Sequence, residues 1–263
     1  MTDRPHPGTA EVFGRYAGFY DALYADKDYE AECDFLERVF AENGVRSGSS
    51  ILDLGSGTGG HAIPLSRRGF EVVGVDRSAE MVGRASAKAR DAGVPVDFIV
   101  GDVCDEALGR TFDVVVSMFA VVGYQLANDD LSRMFANVRR HLKTGGLFVF
   151  DGWFGPAVLV EQPEVKTKTV VDPTGDVITR VARPTLDVVA QTVEVAYEVT
   201  RESGGEVVEE TAESHRMRFL FAQEMAFFLQ SASLELVALG PFMDLSRPPG
   251  VTDWNFSAVA KAV

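Results

Sequence analysis

From residue 51 the chain alternates short, almost wholly apolar runs with longer amphipathic stretches. Residues 51–54, 71–76, 96–102, 113–119 and 147–151 read as strands. Runs that are apolar throughout belong to strands buried on both faces, as in a parallel sheet. Helices are predicted between them: from a glycine-rich turn to about Arg68, over 79–92 behind Ser78 as cap, and over 129–142, ended by Lys143-Thr-Gly-Gly146. Ahead of the first strand, Ala31, Phe35, Val39 and Phe40 recur at helical spacing over 28–40, and Gly44 with the Ser/Gly run 47–50 closes that helix. Strand and helix in alternation predict an α/β fold whose sheet is covered on both sides.

The rhythm breaks after Trp153. Residues from about 166 to 215 are Val/Thr-rich with charged alternation, and carry turn signals at Pro173-Thr-Gly175 and Ser203-Gly-Gly205. That pattern predicts an antiparallel meander with one wet face. A helix over 222–232 and strands over 234–239 and 254–260 follow. The expected organisation is therefore an α/β core made of 1–154 and 216–263, with 155–215 as a small β insertion. The first eleven residues, with Pro5, Pro7 and Gly8, read as a mobile tail before an aromatic-rich stretch that ends at Tyr24.

Composition narrows the field. The 263 residues are 46% hydrophobic and 24% charged, ordinary values for a globular chain. The net charge of −14 repels phosphate backbones and anionic lipid, which argues against nucleic acid or a membrane as partner. Two distant cysteines, Cys33 and Cys104, offer neither a disulfide framework nor a metal-ligand spacing; no metal is expected, and a reducing cytoplasm is the expected location. The longest uncharged apolar stretch, 114–124, is shorter than the ~20 residues of a spanning helix.

The chemistry concentrates in Ile51-Leu-Asp53-Leu-Gly55-Ser-Gly57-Thr-Gly59-Gly60-His61. A strand that runs into close-set glycines and then a helix lets the backbone approach a ligand. Asp76 ends the second strand, where a carboxylate can take both hydroxyls of a ribose. Gly55, Gly57 and Gly60 also satisfy the pyrophosphate pattern of NAD or FAD proteins. Asp53, two residues before the first glycine, suits an ammonium better than a pyrophosphate, and Asp102 after strand three can accept from an adenine amino group. These point to S-adenosylmethionine, with a nicotinamide-dependent oxidoreductase as the alternative.

With these motifs the chain resembles the class I S-adenosylmethionine-dependent methyltransferases, above all the bacterial sugar N- and O-methyltransferases that act on nucleotide-linked amino sugars. Phe19-Tyr20-Asp21, Lys27-Asp-Tyr29, 51–59, Val75-Asp76-Arg-Ser-Ala-Glu-Met81, Gly101-Asp102-Val103, Ser117-Met118-Phe119, Asp151-Gly-Trp153 and Glu213-Ser-His215-Arg216 carry the resemblance. It implies a Rossmann-like seven-stranded sheet with a reversed last strand, and an inserted antiparallel sheet that roofs the substrate. It further implies Tyr20 and Tyr29 on the methionine tail, the Gly55–Gly57 backbone beneath it, Asp76 on the ribose, Met81, Asp102 and Val103 around the adenine, and Met118 near the sulfonium. Plain packing remains an alternative for the two methionines and the two tyrosines.

Acceptor chemistry is less fixed. A hydroxyl acceptor needs a general base and an amine needs only to be uncharged. Tyr124, Asp151 and His215 are the candidate bases, Arg216 is available to a phosphate or carboxylate, and Phe119, Tyr124, Trp153 and Phe154 offer an apolar platform. His61 is expected as a cap or cofactor-side contact, and His141 as a favourable charge at a helix end. Two stretches depart from the sugar N-dimethyltransferase pattern: Val122-Gly-Tyr124 lacks the histidine that tends to follow the glycine, and Phe154-Gly-Pro-Ala replaces a second tryptophan with an acidic turn. N- and O-methylation of a sugar, methylation of another natural product, and a pocket that binds without turnover thus all stay open, as do a monomer and a homodimer.

Overall fold

The structure is a computed structural model that describes residues 17–263; the expected tail over residues 1–11 lies outside the described residues. In chain order the elements begin α1 (Ala17–Leu23), α2 (Tyr29–Glu42), β1 (Ser50–Leu54), α3 (Ala62–Arg67), β2 (Glu71–Asp76), α4 (Ala79–Ala92) and β3 (Val96–Val100). They continue with β4 (Phe112–Ser117), a 3-10 turn (Val121–Tyr124), α5 (Asn128–His141), β5 (Leu142–Trp153) and α6 (Gly155–Glu161). Four strands follow, β6 (Lys166–Val171), β7 (Val177–Asp187), β8 (Thr192–Ser203) and β9 (Glu206–Arg218), then α7 (Ala222–Ser231), β10 (Leu234–Pro241) and β11 (Asn255–Ala262).

Two compact units emerge: a larger one of residues 28–162 and 217–263, and a smaller one in which the described residues up to Lys27 join 163–216. In the larger unit a seven-stranded sheet has the order β10-β11-β5-β4-β1-β2-β3. β5, β4, β1, β2 and β3 are mutually parallel, whereas β11 runs antiparallel to both β5 and β10. This is the Rossmann-like sheet with a reversed last strand that the sequence predicts.

The pleat explains why those strands carry apolar residues on both faces. Ile51, Val72, Val114, Val116 and Val149 face one cluster with Phe35, Leu36, Val39 and Phe40 of α2. Leu52, Val73, Val115, Phe148 and Phe150 face the other, with Leu131, Phe135 and Val138 of α5 and Leu229 of α7. Each fully buried side chain of this size contributes roughly 1.5–3 kcal/mol. Caps fix the helix starts: Asp28 Oδ1 accepts from Ala31 N at 2.9 Å and Ser78 Oγ from Met81 N at 3.3 Å.

The structure departs from the sequence reading in three places. β5 starts at Leu142, before the glycines, because Phe112 pairs with Leu142 ahead of a register shift to Val114–Leu147. Residues 155–161, assigned to the insertion, form α6 in the larger unit, where Ala157 is buried in the core beside Phe154. His141 carries no helix-end charge: its Nε2 accepts from Leu108 N at 3.1 Å and its Nδ1 donates to Asn137 O at 2.9 Å, so the ring is neutral, and burial lowers its pKa.

The smaller unit is a four-stranded sheet in the order β6-β7-β8-β9, with antiparallel β6–β7 and β7–β8 pairs. Ile178 and Ala182 of β7 and Val193, Val195 and Val199 of β8 are buried, while alternating charged positions stay wet. The turns fall where Gly175 and the Gly204-Gly205 pair were read. Among the described residues no helix is long and apolar enough to cross a membrane.

Candidate functional site

From β1 the chain builds the parallel sheet outward through β2 and β3, then returns to place β4 on the other side of β1. The carboxyl ends of β1 and β4 thus flank a topological switch point, where open α/β sheets hold ligands. The loops leaving these two strands are the glycine-rich turn and the stretch from Met118 to Tyr124.

Gly55 leaves β1 with φ +82°, and a Cβ there would stand 2.5 Å from Val121 Cγ2. A Cβ on Gly60 would stand 2.4 Å from Tyr29 Cε1. Both positions need glycine, because Val121 and Tyr29 press against the bare backbone. The loop is tied to β2, since Gly57 N donates to Asp76 Oδ2 at 2.8 Å and Ser78 N to Asp76 Oδ1 at 2.9 Å. Burial still raises the Asp76 carboxyl above its ordinary pKa, against these two N–H donors.

Asp53 is the unusual group. Its side chain is buried, and its Oδ2 has no hydrogen-bond partner among the described residues. Burial pushes its pKa up to about 6, with Asp76 raising it further and His61 opposing. A buried acceptor left unsatisfied is costly, and the cost disappears when a cationic donor arrives. This orphaned oxygen beside an open glycine loop fits the ammonium end of an amino-acid tail; nothing stands within 4 Å of where a Cβ on Gly57 would be.

Around this centre, Gly101 N donates to Asp76 O at 3.0 Å, bringing the ends of β2 and β3 together. Asp102 is exposed and its Oδ1 accepts from Cys104 N at 2.8 Å, while Val103 packs partly against the core. Met81 and Met118 are both buried, Met118 in the cluster that includes Ile51 and Val114. His61 makes no side-chain cap; its Nε2 donates to the buried Glu32 Oε2 at 2.6 Å, and the Tyr29 ring meets it edge-on at 5.2 Å.

After β4 the backbone does something rare. Phe119 and Ala120 adopt φ of +72° and +58° in succession. A left-handed non-glycine residue costs roughly 1–3 kcal/mol, and such strain gathers at functional sites. Asp151, buried on β5, accepts from Ala120 N through Oδ1 at 2.8 Å. Phe119 remains 36% exposed and Tyr124, at the end of the 3-10 turn, is half-buried. Trp153 is half-buried with its ring 6.1 Å from that of Trp254, whereas Phe154, read as part of the platform, turns into the core.

The remaining candidates lie in the smaller unit. Tyr20 is buried, its ring 4.7 Å from that of Tyr24. His215 is buried, with Nε2 3.3 Å from Glu213 Oε2 and the Tyr197 ring edge-on at 5.0 Å. Burial, with Tyr24 adding to it, pushes the Tyr197 phenol up to about 12. Arg216 is exposed and donates to Glu194 Oε2 at 2.6 Å. Sequence reasoning missed Val121 and Glu32. Nothing local marks Val121, but Glu32 is in phase with Phe35, Leu36 and Val39 on the apolar face of α2, and a carboxylate there signals a buried partner.

Residues 51–146 match a family model described as a methyltransferase domain. A dTDP-3-amino-3,4,6-trideoxy-alpha-D-glucopyranose N,N-dimethyltransferase of Streptomyces venezuelae is 32% identical over 56% of this chain, which spans 60% of that relative's length. A dTDP-3-amino-3,6-dideoxy-alpha-D-glucopyranose N,N-dimethyltransferase of Streptomyces fradiae is 29% identical over 88% of this chain and 89% of its own. The solved sugar N-methyltransferase from Streptoalloteichus sp ATCC 53650 is 25% identical, with a TM-score of 0.76 over 98% of this chain and 96% of that one.

Proposed function

We infer that this chain, whose residues 51–146 match a methyltransferase domain, is an S-adenosylmethionine-dependent methyltransferase that methylates the amino nitrogen of a nucleotide-linked sugar. The observation that carries the reading is the orphaned, buried Asp53 Oδ2 at the switch point of the sheet. The acceptor class is supported by the two similar dTDP-amino-sugar dimethyltransferases.

When bound, S-adenosylmethionine supplies a methyl group on a sulfonium, whose leaving group is a neutral thioether. The chain's part is to hold and align. Asp53 would take the ammonium, with Tyr20 and Tyr29 along the tail and the Gly55 and Gly57 backbone beneath it. Asp76, already fixed by two N–H donors, keeps lone pairs for the ribose hydroxyls; Asp102, Val103 and Met81 would serve the adenine, and Met118 the apolar side of the sulfonium. Because departure needs no acid, alignment and exclusion of water supply most of the acceleration.

An amine attacks through its own lone pair, so an ammonium must first give up a proton, and the methylated nitrogen sheds another after transfer. His215 is the residue we assign to receiving or orienting that proton, Tyr124 to a hydrogen bond with the acceptor, and Phe119 and Trp153 to its apolar face. Arg216 can turn from Glu194 to a phosphate of the nucleotide, a stronger partner for a guanidinium.

The test is a two-part assay. Calorimetry with S-adenosylhomocysteine should show binding, and NADH should not compete. Mass spectrometry over a panel of dTDP-linked amino and neutral sugars should then show products heavier by one or two methylene units in the amino sugars alone. Gain of mass in the neutral sugars instead would move the reading to O-methylation, and NADH binding in place of the thioether would overturn it.

A further inference from the structure

We propose that Asp151 is a positioning residue, which holds the Phe119-Ala120 turn in its left-handed form and so fixes Phe119 and Val121 at the mouth of the switch point. The inference rests on the reading above for its acceptor, but its geometry stands alone. Asp151 was read from sequence as a candidate base. Its Oδ1 is instead engaged by Ala120 N at 2.8 Å, in a buried bond between β5 and the loop after β4.

Three observations make this more than an incidental contact. The turn has two successive positive-φ residues, neither of them glycine, so it needs an outside partner to persist. A carboxylate accepting a backbone N–H is a strong, charge-assisted bond, and here it is shielded from water. The residue that follows the turn is Val121, whose side chain occupies the space a Cβ on Gly55 would fill, at 2.5 Å. Asp151 therefore acts through Ala120 on both neighbours: Phe119, left 36% exposed, and the backbone on which the cofactor's tail would lie. The same turn is tightened from within, because Gly123 N donates to Ala120 O at 3.0 Å.

The experiment compares Asp151→Asn, Asp151→Ala, Ala120→Gly and the Asp151→Ala/Ala120→Gly double variant in the full chain. Amide hydrogen exchange at Ala120 reads the turn directly and needs no acceptor. Asp151→Ala should speed that exchange at least about tenfold, while Asp151→Asn, whose amide oxygen can still accept, should leave it protected. In turnover of a dTDP-linked amino sugar, Asp151→Ala should raise KM more than it lowers kcat, by roughly tenfold against threefold, and Asp151→Asn should recover most of both. Ala120→Gly in the Asp151→Ala background should restore part of the activity, since glycine enters the left-handed region freely.

Unchanged exchange in Asp151→Ala would overturn the proposal. So would an Asp151→Asn variant that keeps Ala120 protected yet is as inactive as Asp151→Ala across the pH range, the mark of proton chemistry at the carboxylate. If Asp151→Ala does not fold, Asp151→Asn and Ala120→Gly still decide between these outcomes. If no sugar is methylated by the parent chain, the exchange comparison still decides whether Asp151 holds the turn, so failure of the functional reading shows separately.

Discussion

Burial lifts the Asp53 carboxyl to about 6, so the ligand-free fold carries an uncompensated buried charge above that pH. Between the ordinary Asp value and about 6 the folded state binds more protons than the unfolded chain, and stability therefore falls as pH rises through that window. Asp53→Asn should flatten the fall, raising the stability of the free protein at pH ~7.5 by about 1–3 kcal/mol while leaving pH ~3, below both pKa values, little changed. The parent's S-adenosylhomocysteine affinity should rise through about pH 6 and that of Asp53→Asn should not; parallel melting curves and calorimetry check both. Asp76→Ala should weaken that ligand by about 1–3 kcal/mol in the same titration, through loss of charge-assisted hydrogen bonds and of the anchor for Gly57. His215→Ala should cut turnover by about 10²-fold or more with cofactor affinity unmoved, as steady-state kinetics beside calorimetry will show. Asp53, Asp76 and the glycines were legible in the sequence because their chemistry is specific at those positions. Val121 and the role of Asp151 were not, because a valine or an aspartate declares nothing until the fold brings its neighbour close.

The turn after β1 tests how tightly two loops are fitted. Gly55→Ala meets both a φ of +82° and the Val121 side chain, and should cost about 2–5 kcal/mol of unfolding free energy. Val121→Ala in that background should recover the part due to the clash and leave the part due to the backbone angle; urea titration of the single and double variants separates them. Predicted and observed elements agree best for β2 and α4, where an unbroken apolar run or a capped amphipathic face leaves one solution. The 3-10 turn and α6 escaped because each is a single turn or two, with too few residues for periodicity to register. β5 was read short because Gly145 and Gly146 look like a terminator, yet the neighbouring strand pairs across them at Leu142.

The charge of −14 belongs to the chain as a whole and implies self-repulsion in the compact state. Raising the ionic strength from about 0.01 to 0.15 M shortens the screening length from about 30 to 8 Å, and should raise the melting temperature of the ligand-free protein. A scan of melting temperature against salt checks this, and a fall would mean that favourable ion pairs outweigh the repulsion. The division into two units was only partly visible from composition: the Val/Thr-rich meander announced itself, but Gly155–Glu161 joins the larger unit through buried Ala157, and the described residues before Asp28 join the smaller. Membership of a unit is decided by contacts distant in sequence, which local patterns do not encode.

β11 has a consequence of its own. It is hydrogen-bonded on both sides, to β5 and to β10, and it arrives last of the seven strands. Any chain interrupted before Asn255 would leave two raw β edges facing an empty slot of one strand's width. The natural filler for such a slot is the matching segment of another molecule, so nicked or unfinished copies should associate by strand exchange.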